Sequence, residues 1–248
     1  MKPSMENSSN RHFATTQWSI VLEAGRRSAP EADAALEALC RAYWFPLYAY
    51  ARRRGYAQEE ATDLTQEFFS RLIEKSFLES ADPTRGKFRT FLLTIFQRFL
   101  AKEYDRARAQ KRGGGKQILS LDFDDGETRY ASELVDEQTA ERIFERQWAL
   151  TLLGRVVEQL RAEYAARGKT DLFEHCRSFL VSPAMSAGYA ELAATLNMTE
   201  GALRVAVHRL RERYRELLRT EIAGTIADDQ TVDDELNQLR RAIQNENR

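Results

Sequence analysis

Residues that staple, ligate or break secondary structure are scarce here: 2 Cys, 3 His, 5 Pro and 12 Gly in 248 residues. Cys40 and Cys176 lie far apart inside apolar helical patterns, and His12, His175 and His208 repeat no metal-ligand spacing. A disulfide scaffold and a zinc module are thereby excluded, and both thiols read as core residues of a reducing compartment. Long apolar runs are also missing. None approaches the roughly 18 residues of a membrane span, and the polar start from Met1 to Arg11 has no signal-peptide core. The expected location is the cytoplasm, without membrane contact. Acids are plentiful, but none is paired with a His, Cys, Ser or glycine-loop constellation able to run chemistry, so neither catalysis nor a cofactor or metal is expected.

What is present is helix-forming and charged. The chain is 43 % hydrophobic and 30 % charged, which fits one or two domains rich in helix, and the patterns along it resolve into an all-α protein of two helical domains. A net charge of −1 hides strong segregation. From Arg85 to Lys116 there are ten Lys or Arg against two acids, a net of plus eight, whereas Gln117 to Glu145 carries nine acids and two arginines, a net of minus seven. A basic run on an aromatic helix is an electrostatic footprint for nucleic acid. The acidic stretch, marked by Asp122, Asp124, Asp125 and Gly126, reads as an irregular linker able to lie over that basic face when DNA is absent.

Taken in order, residues 1–14 are expected to be disordered, and Thr15 or Thr16 caps a short helix carrying Trp18, Val21 and Leu22. A second helix starts around Ser28 to Pro30 and buries Leu36, Leu39, Cys40, Tyr43 and Trp44; Pro46 predicts a break or kink near Trp44 and Phe45. From Gln58 to Lys75 the pattern buries Ala61, Leu64, Phe68, Phe69 and Leu72 and leaves Asp63, Gln66 and Glu67 outward. After the loop Glu79 to Lys87, an aromatic seam runs through Phe88, Phe91, Leu92, Ile95, Phe96, Phe99 and Leu100. The expected domains are 15–112, a flexible linker at 113–140, a second helical domain at 141–222 and an acidic tail at 223–248 ending in a short helix through Leu236, Leu239 and Ile243. In the second domain Phe144, Trp148, Leu152, Val156 and Leu160 share one face, Gly168 breaks the helix, and another follows through Leu172, Phe173, Cys176, Phe179 and Leu180.

The stretch from Tyr189 to Leu218 reads as helix, short turn, helix. Asn197 tolerates left-handed backbone angles, Thr199 is a good N-cap, and Leu203, Val207, Leu210, Tyr214 and Leu217 recur at helical spacing. Opposite that seam Arg204, His208, Arg211 and Arg215 form a basic stripe. A recognition helix enters the major groove N-terminus first, so Thr199, Glu200, Gly201 and Arg204 fall nearest base edges and the later arginines nearest phosphates; Arg209 serves phosphate or merely solvates its helix.

Together these features resemble a bacterial RNA polymerase sigma factor of the extracytoplasmic-function type, over about Ala34 to Arg219. DLTQEFF at 63–69 resembles the family's D-L-x-Q-E-x-F motif, which implies that Asp63, Gln66 and Glu67 face core RNA polymerase at the clamp helices of its largest subunit. FRTFLLTIFQRFLAKEYDRARAQKR at 88–112 is similar to the promoter-melting helix, implying minus-10 contacts from Arg85, Lys87, Arg98, Lys102 and Arg106. YAELAATLNMTEGALRVAVHRLRERYREL is similar to the segment that reads the minus-35 element, with Thr199, Glu200, Gly201, Arg204, His208, Arg209 and Arg211 as its DNA-facing residues. Family members usually carry tryptophan where Phe91 stands and asparagine where Arg98 stands, and a shorter linker and tail. The resemblance implies promoter DNA and core polymerase, clamp and flap, as partners, with room for an anti-sigma or other inhibitory partner. Two other readings of the residues stay open: a two-domain helix-turn-helix regulator that forms no holoenzyme, and a helical adaptor whose basic helix is only solvated.

Overall fold

The computed structural model describes residues 30–74, 86–109, 126–133, 138–181, 189–225 and 231–244. The described residues hold helices α1 (Pro30–Arg53), α2 (Gln58–Glu74), α3 (Phe88–Ala109), α4 (Gly126–Glu133), α5 (Ala140–Ala166), α6 (Thr170–Cys176), α7 (Ser178–Val181), α8 (Tyr189–Thr195), α9 (Glu200–Ala223) and α10 (Val232–Ile243), and no strand. The all-α expectation holds. The helix expected around Trp18 and the disorder expected at 1–14 lie outside the described residues.

Two units form. The first comprises Met1–Thr151 with Ala223–Arg248, the second Leu152–Ile222. The division differs from the expected one at both ends. The first half of α5 belongs with the N-terminal unit, where Glu145 and Trp148 meet Arg89 of α3, and so does the acidic tail, whose Glu235 meets Lys87 and Arg89.

The core of the first unit is aromatic. Phe68 of α2 meets Phe96 of α3 edge-on at 4.9 Å and lies 5.6 Å from Phe99, while Tyr43 of α1 meets Phe88 at 5.5 Å. Each such pair adds about 0.5–1.5 kcal/mol beyond simple burial. Around them Leu39, Leu47, Ala61, Phe69, Leu72 and Leu92 are all buried. Helix α1 runs unbroken through Pro46, against the expected break. A proline inside a helix costs roughly 3 kcal/mol in lost bonding and steric strain; here it sits in a turn whose neighbours Phe45, Leu47, Tyr48 and Ala49 are all at most 2 % exposed, and their burial offsets that cost.

Within the expected flexible linker, residues 126–133 instead form α4, held on α1. Glu127 accepts hydrogen bonds from Arg52 Nε and Nη2 at 2.9 and 2.6 Å and from the Tyr48 hydroxyl at 2.5 Å. Tyr130 is buried edge-on to Tyr48, and Arg129 lies 3.9 Å over the Phe45 ring. Gly126 makes this approach possible, since a Cβ there would come within 3.3 Å of Trp44. The linker composition is acidic, but one of its acids is matched by an α1 arginine that ends the helix, a pairing no local pattern signals.

The second unit packs the rest of α5 against α6 to α9. Leu203, Val207, Leu210 and Leu217 of α9 are buried, as are Phe173, Cys176 and Phe179. The expected helix through Leu172 to Leu180 is split at Arg177 into α6 and α7. Glu163 of α5 accepts from Arg213 Nε and Nη2 at 2.9 and 2.7 Å, a two-pronged pair that fixes α9 to α5 and holds the Glu163 carboxyl below its usual range.

Candidate nucleic-acid interface

Helix α3 begins where Lys87 offers its carbonyl to the amides of Thr90 and Phe91. Its first turn contains no acid, so the positive end of the helix dipole adds to Lys87 and Arg89. Along the helix Phe88, Leu92, Phe96, Phe99 and Leu100 turn inward, with Phe91 and Ile95 half-buried. The opposite face carries Arg98, Lys102 and Arg106, all exposed, the last bonded at 3.1 Å to Glu103. Tyr104 adds a large exposed aromatic between them, 57 % accessible. Arg85 lies outside the described residues.

Lys87 is not on that open face. Its ammonium is hydrogen-bonded to Glu235 and Gln238 of α10. Arg89, only 4 % exposed, donates to Glu145 of α5 at 2.8 Å and to the second oxygen of Glu235, and its guanidinium lies 4.1 Å over the Trp148 ring. The tail helix therefore covers the cationic start of α3. Sequence reasoning did not anticipate this. The only signal was an acidic first turn, Asp233 to Glu235, with no indication of where it would dock.

On α2, Asp63 is exposed, whereas Gln66 and Glu67 are half-buried and Glu67 bonds Arg71 at 2.7 Å. Arg71 also reaches Glu103 of α3 at 2.6 Å, so this corner ties α2 to α3 and leaves Asp63 as its outward charge.

In the second unit the helix, turn and helix form as the residues predict. Asn197 adopts φ +52°, Met198 N donates to Ala193 O at 2.8 Å, and the Thr199 hydroxyl accepts from Ala202 N at 3.2 Å, capping α9. On the first of these helices Tyr189 and Ala193 are buried, with Leu192 half-buried; in the turn Leu196 is half-buried, and Ala190 is exposed. Thr199, Glu200, Gly201, Arg204, His208 and Arg209 are all exposed on the opposite side of α9. A side chain at Gly201 would meet nothing within 4 Å, so the outer surface is open there. Arg204 donates twice to Glu200, at 3.0 and 2.6 Å, and lies 4.6 Å over the Tyr189 ring, which holds its guanidinium in one place. Val205 beside it is exposed. Arg211 differs from its neighbours on the stripe. It is turned inward and donates through Nε to Phe179 O at 3.0 Å.

Burial pushes the Cys40 thiol up to about 12 and the Cys176 thiol to about 11, so neither forms a thiolate near neutrality. No group of acids, histidines and cysteines among the described residues could hold a metal ion, and none of their helices is long and apolar enough to cross a membrane.

Neither the curated proteins nor the solved structures contain a match to this chain. Residues 39–112, from the middle of α1 to the basic run after α3, match the family model described as Sigma-70 region 2. That similarity covers the helices of the first unit that carry Asp63 and the basic face of α3.

Proposed function

We propose that this chain is an extracytoplasmic-function type sigma factor that binds core RNA polymerase through its first unit and reads promoters at two places. The region 2 match carries the first part: it supports a role in promoter recognition on the polymerase. Asp63, with Gln66 and Glu67 beside it, is the proposed clamp-docking corner. The exposed face Arg98, Lys102 and Arg106 suits the backbone of an opened minus-10 strand, since exposed cations on one helix face track phosphates without reading bases. The outward face of α9, from Thr199 to Arg209, suits the minus-35 duplex. Arg204, held between Glu200 and Tyr189, is oriented before DNA arrives, which lowers the ordering cost of a base contact.

The capped helix-turn-helix also favours a second reading, a regulator that binds DNA without a holoenzyme. Capture of core polymerase by the purified chain, followed by run-off transcription from genomic fragments of the same organism, separates the two. The sigma reading expects stable capture and factor-dependent transcripts; tight sequence-specific DNA binding with no capture would replace it with the regulator.

A further inference from the structure

Glu235 is 1 % exposed, yet it is a carboxylate from an acidic tail buried against two cations of another helix start. Its two oxygens divide between Lys87 and Arg89, and Gln238, one helical turn on, supplies a further acceptor to both, at 3.4 Å from Arg89. An anion with two oxygens held between a lysine and an arginine, at a helix N-terminus lacking its own acid, is the arrangement a phosphate would take. We infer that α10 is a displaceable occupant of this cationic start, an acidic stand-in for the nucleic-acid backbone that must leave before a strand can be bound there. The inference rests on the proposed DNA role of α3.

Two observations make displacement physically reasonable. The helix has 12 residues and only Glu235 and Leu239 of it are buried, and an isolated helix shorter than about 12–15 residues is marginal in water. Its fully buried attachment is one aliphatic anchor and one carboxylate, with Val232, Leu236 and Ile243 only half-buried beside them. Finally, the site survives departure of α10, because Arg89 keeps Glu145 and the Trp148 ring. An arginine left buried and unpaired would have opposed release.

The test uses the full chain and a fluorescein-labelled oligodeoxythymidine, which offers phosphates without a promoter sequence. Replacing the acceptors, Glu235→Gln with Gln238→Ala, is expected to tighten binding about three- to ten-fold at low salt and to steepen the log–log salt dependence by about one phosphate contact. Lys87→Met is expected to cancel the gain in the doubly substituted chain. Hydrogen exchange on the unsubstituted chain needs no variant to fold: saturating oligonucleotide should strip protection from α10 amides while those of α9 below Leu210 stay protected. Equal affinity with and without the acceptors, or α10 protection unchanged by bound oligonucleotide, overturns the inference while leaving the DNA role of α3 intact. Absence of oligonucleotide binding in every variant overturns both.

Discussion

Arg89 and Glu235, 146 residues apart, form an ion pair in which both side chains are at least 96 % buried. Such a pair contributes little net stability over an apolar equivalent, but removing one partner strands the other in a medium that cannot solvate it. Arg89→Met should destabilise the first unit by about 2–4 kcal/mol, somewhat below the full cost of a stranded carboxylate because Lys87 still reaches Glu235. Tryptophan fluorescence during urea unfolding reports on this unit through Trp44 and Trp148. An unchanged midpoint would mean that the pair is solvated in solution.

The Arg52 guanidinium, with help from the Tyr48 hydroxyl, holds the Glu127 carboxyl below its usual range. A depressed carboxylate contributes stability above the unfolded-state value and loses it as pH falls through the folded-state value. Glu127→Gln should therefore cost about 1–2 kcal/mol at neutral pH, with the gap to the parent chain closing between about pH 5 and 3. A gap that stayed constant across that range would show the loss to be one of packing.

Glu221 behaves in the opposite sense. Burial pushes its carboxyl up to about 7, one oxygen has no hydrogen-bond partner among the described residues, and Arg155 compensates only in part. The folded state thus holds a proton that the unfolded state releases near 4.5, and stability falls as pH rises from about 4.5 to 7. Glu221→Gln should raise stability by about 2–3 kcal/mol at pH 8 and by little at pH 5. Calorimetry at the two pH values checks this, and a gain independent of pH would overturn it.

Asp63 is exposed and outward on α2. Asp63→Lys should leave thermal stability within about 0.5 kcal/mol, as surface substitutions generally do, yet abolish capture of core polymerase. Capture at the parent level would remove this corner from the docking surface.

Arg204 is exposed on α9 but held by Glu200 and Tyr189. Arg204→Ala should cost about 1–3 kcal/mol on a matched minus-35 duplex and less on a scrambled one. Equal losses in an anisotropy titration would assign the side chain to phosphate.

Much of this protein could be read along the chain. Helical seams repeat every three to four residues, so Phe68, Phe96, Phe144, Val156, Leu203 and Val207 were identifiable as core, and all are at most 4 % exposed. The turn at Asn197 and the cap at Thr199 were equally legible, because each depends on the residue and its immediate neighbours alone. Tertiary packing decided the rest. It carried α1 through Pro46 as one continuous helix, folded part of an acidic linker into α4 against Arg52, and turned Arg211 inward to Phe179. It also brought Glu235 onto Lys87 and Arg89. Charge pairing has no periodicity: a carboxylate chooses its partner by what the fold brings within reach, so local pattern names the ions and only the assembled chain matches them.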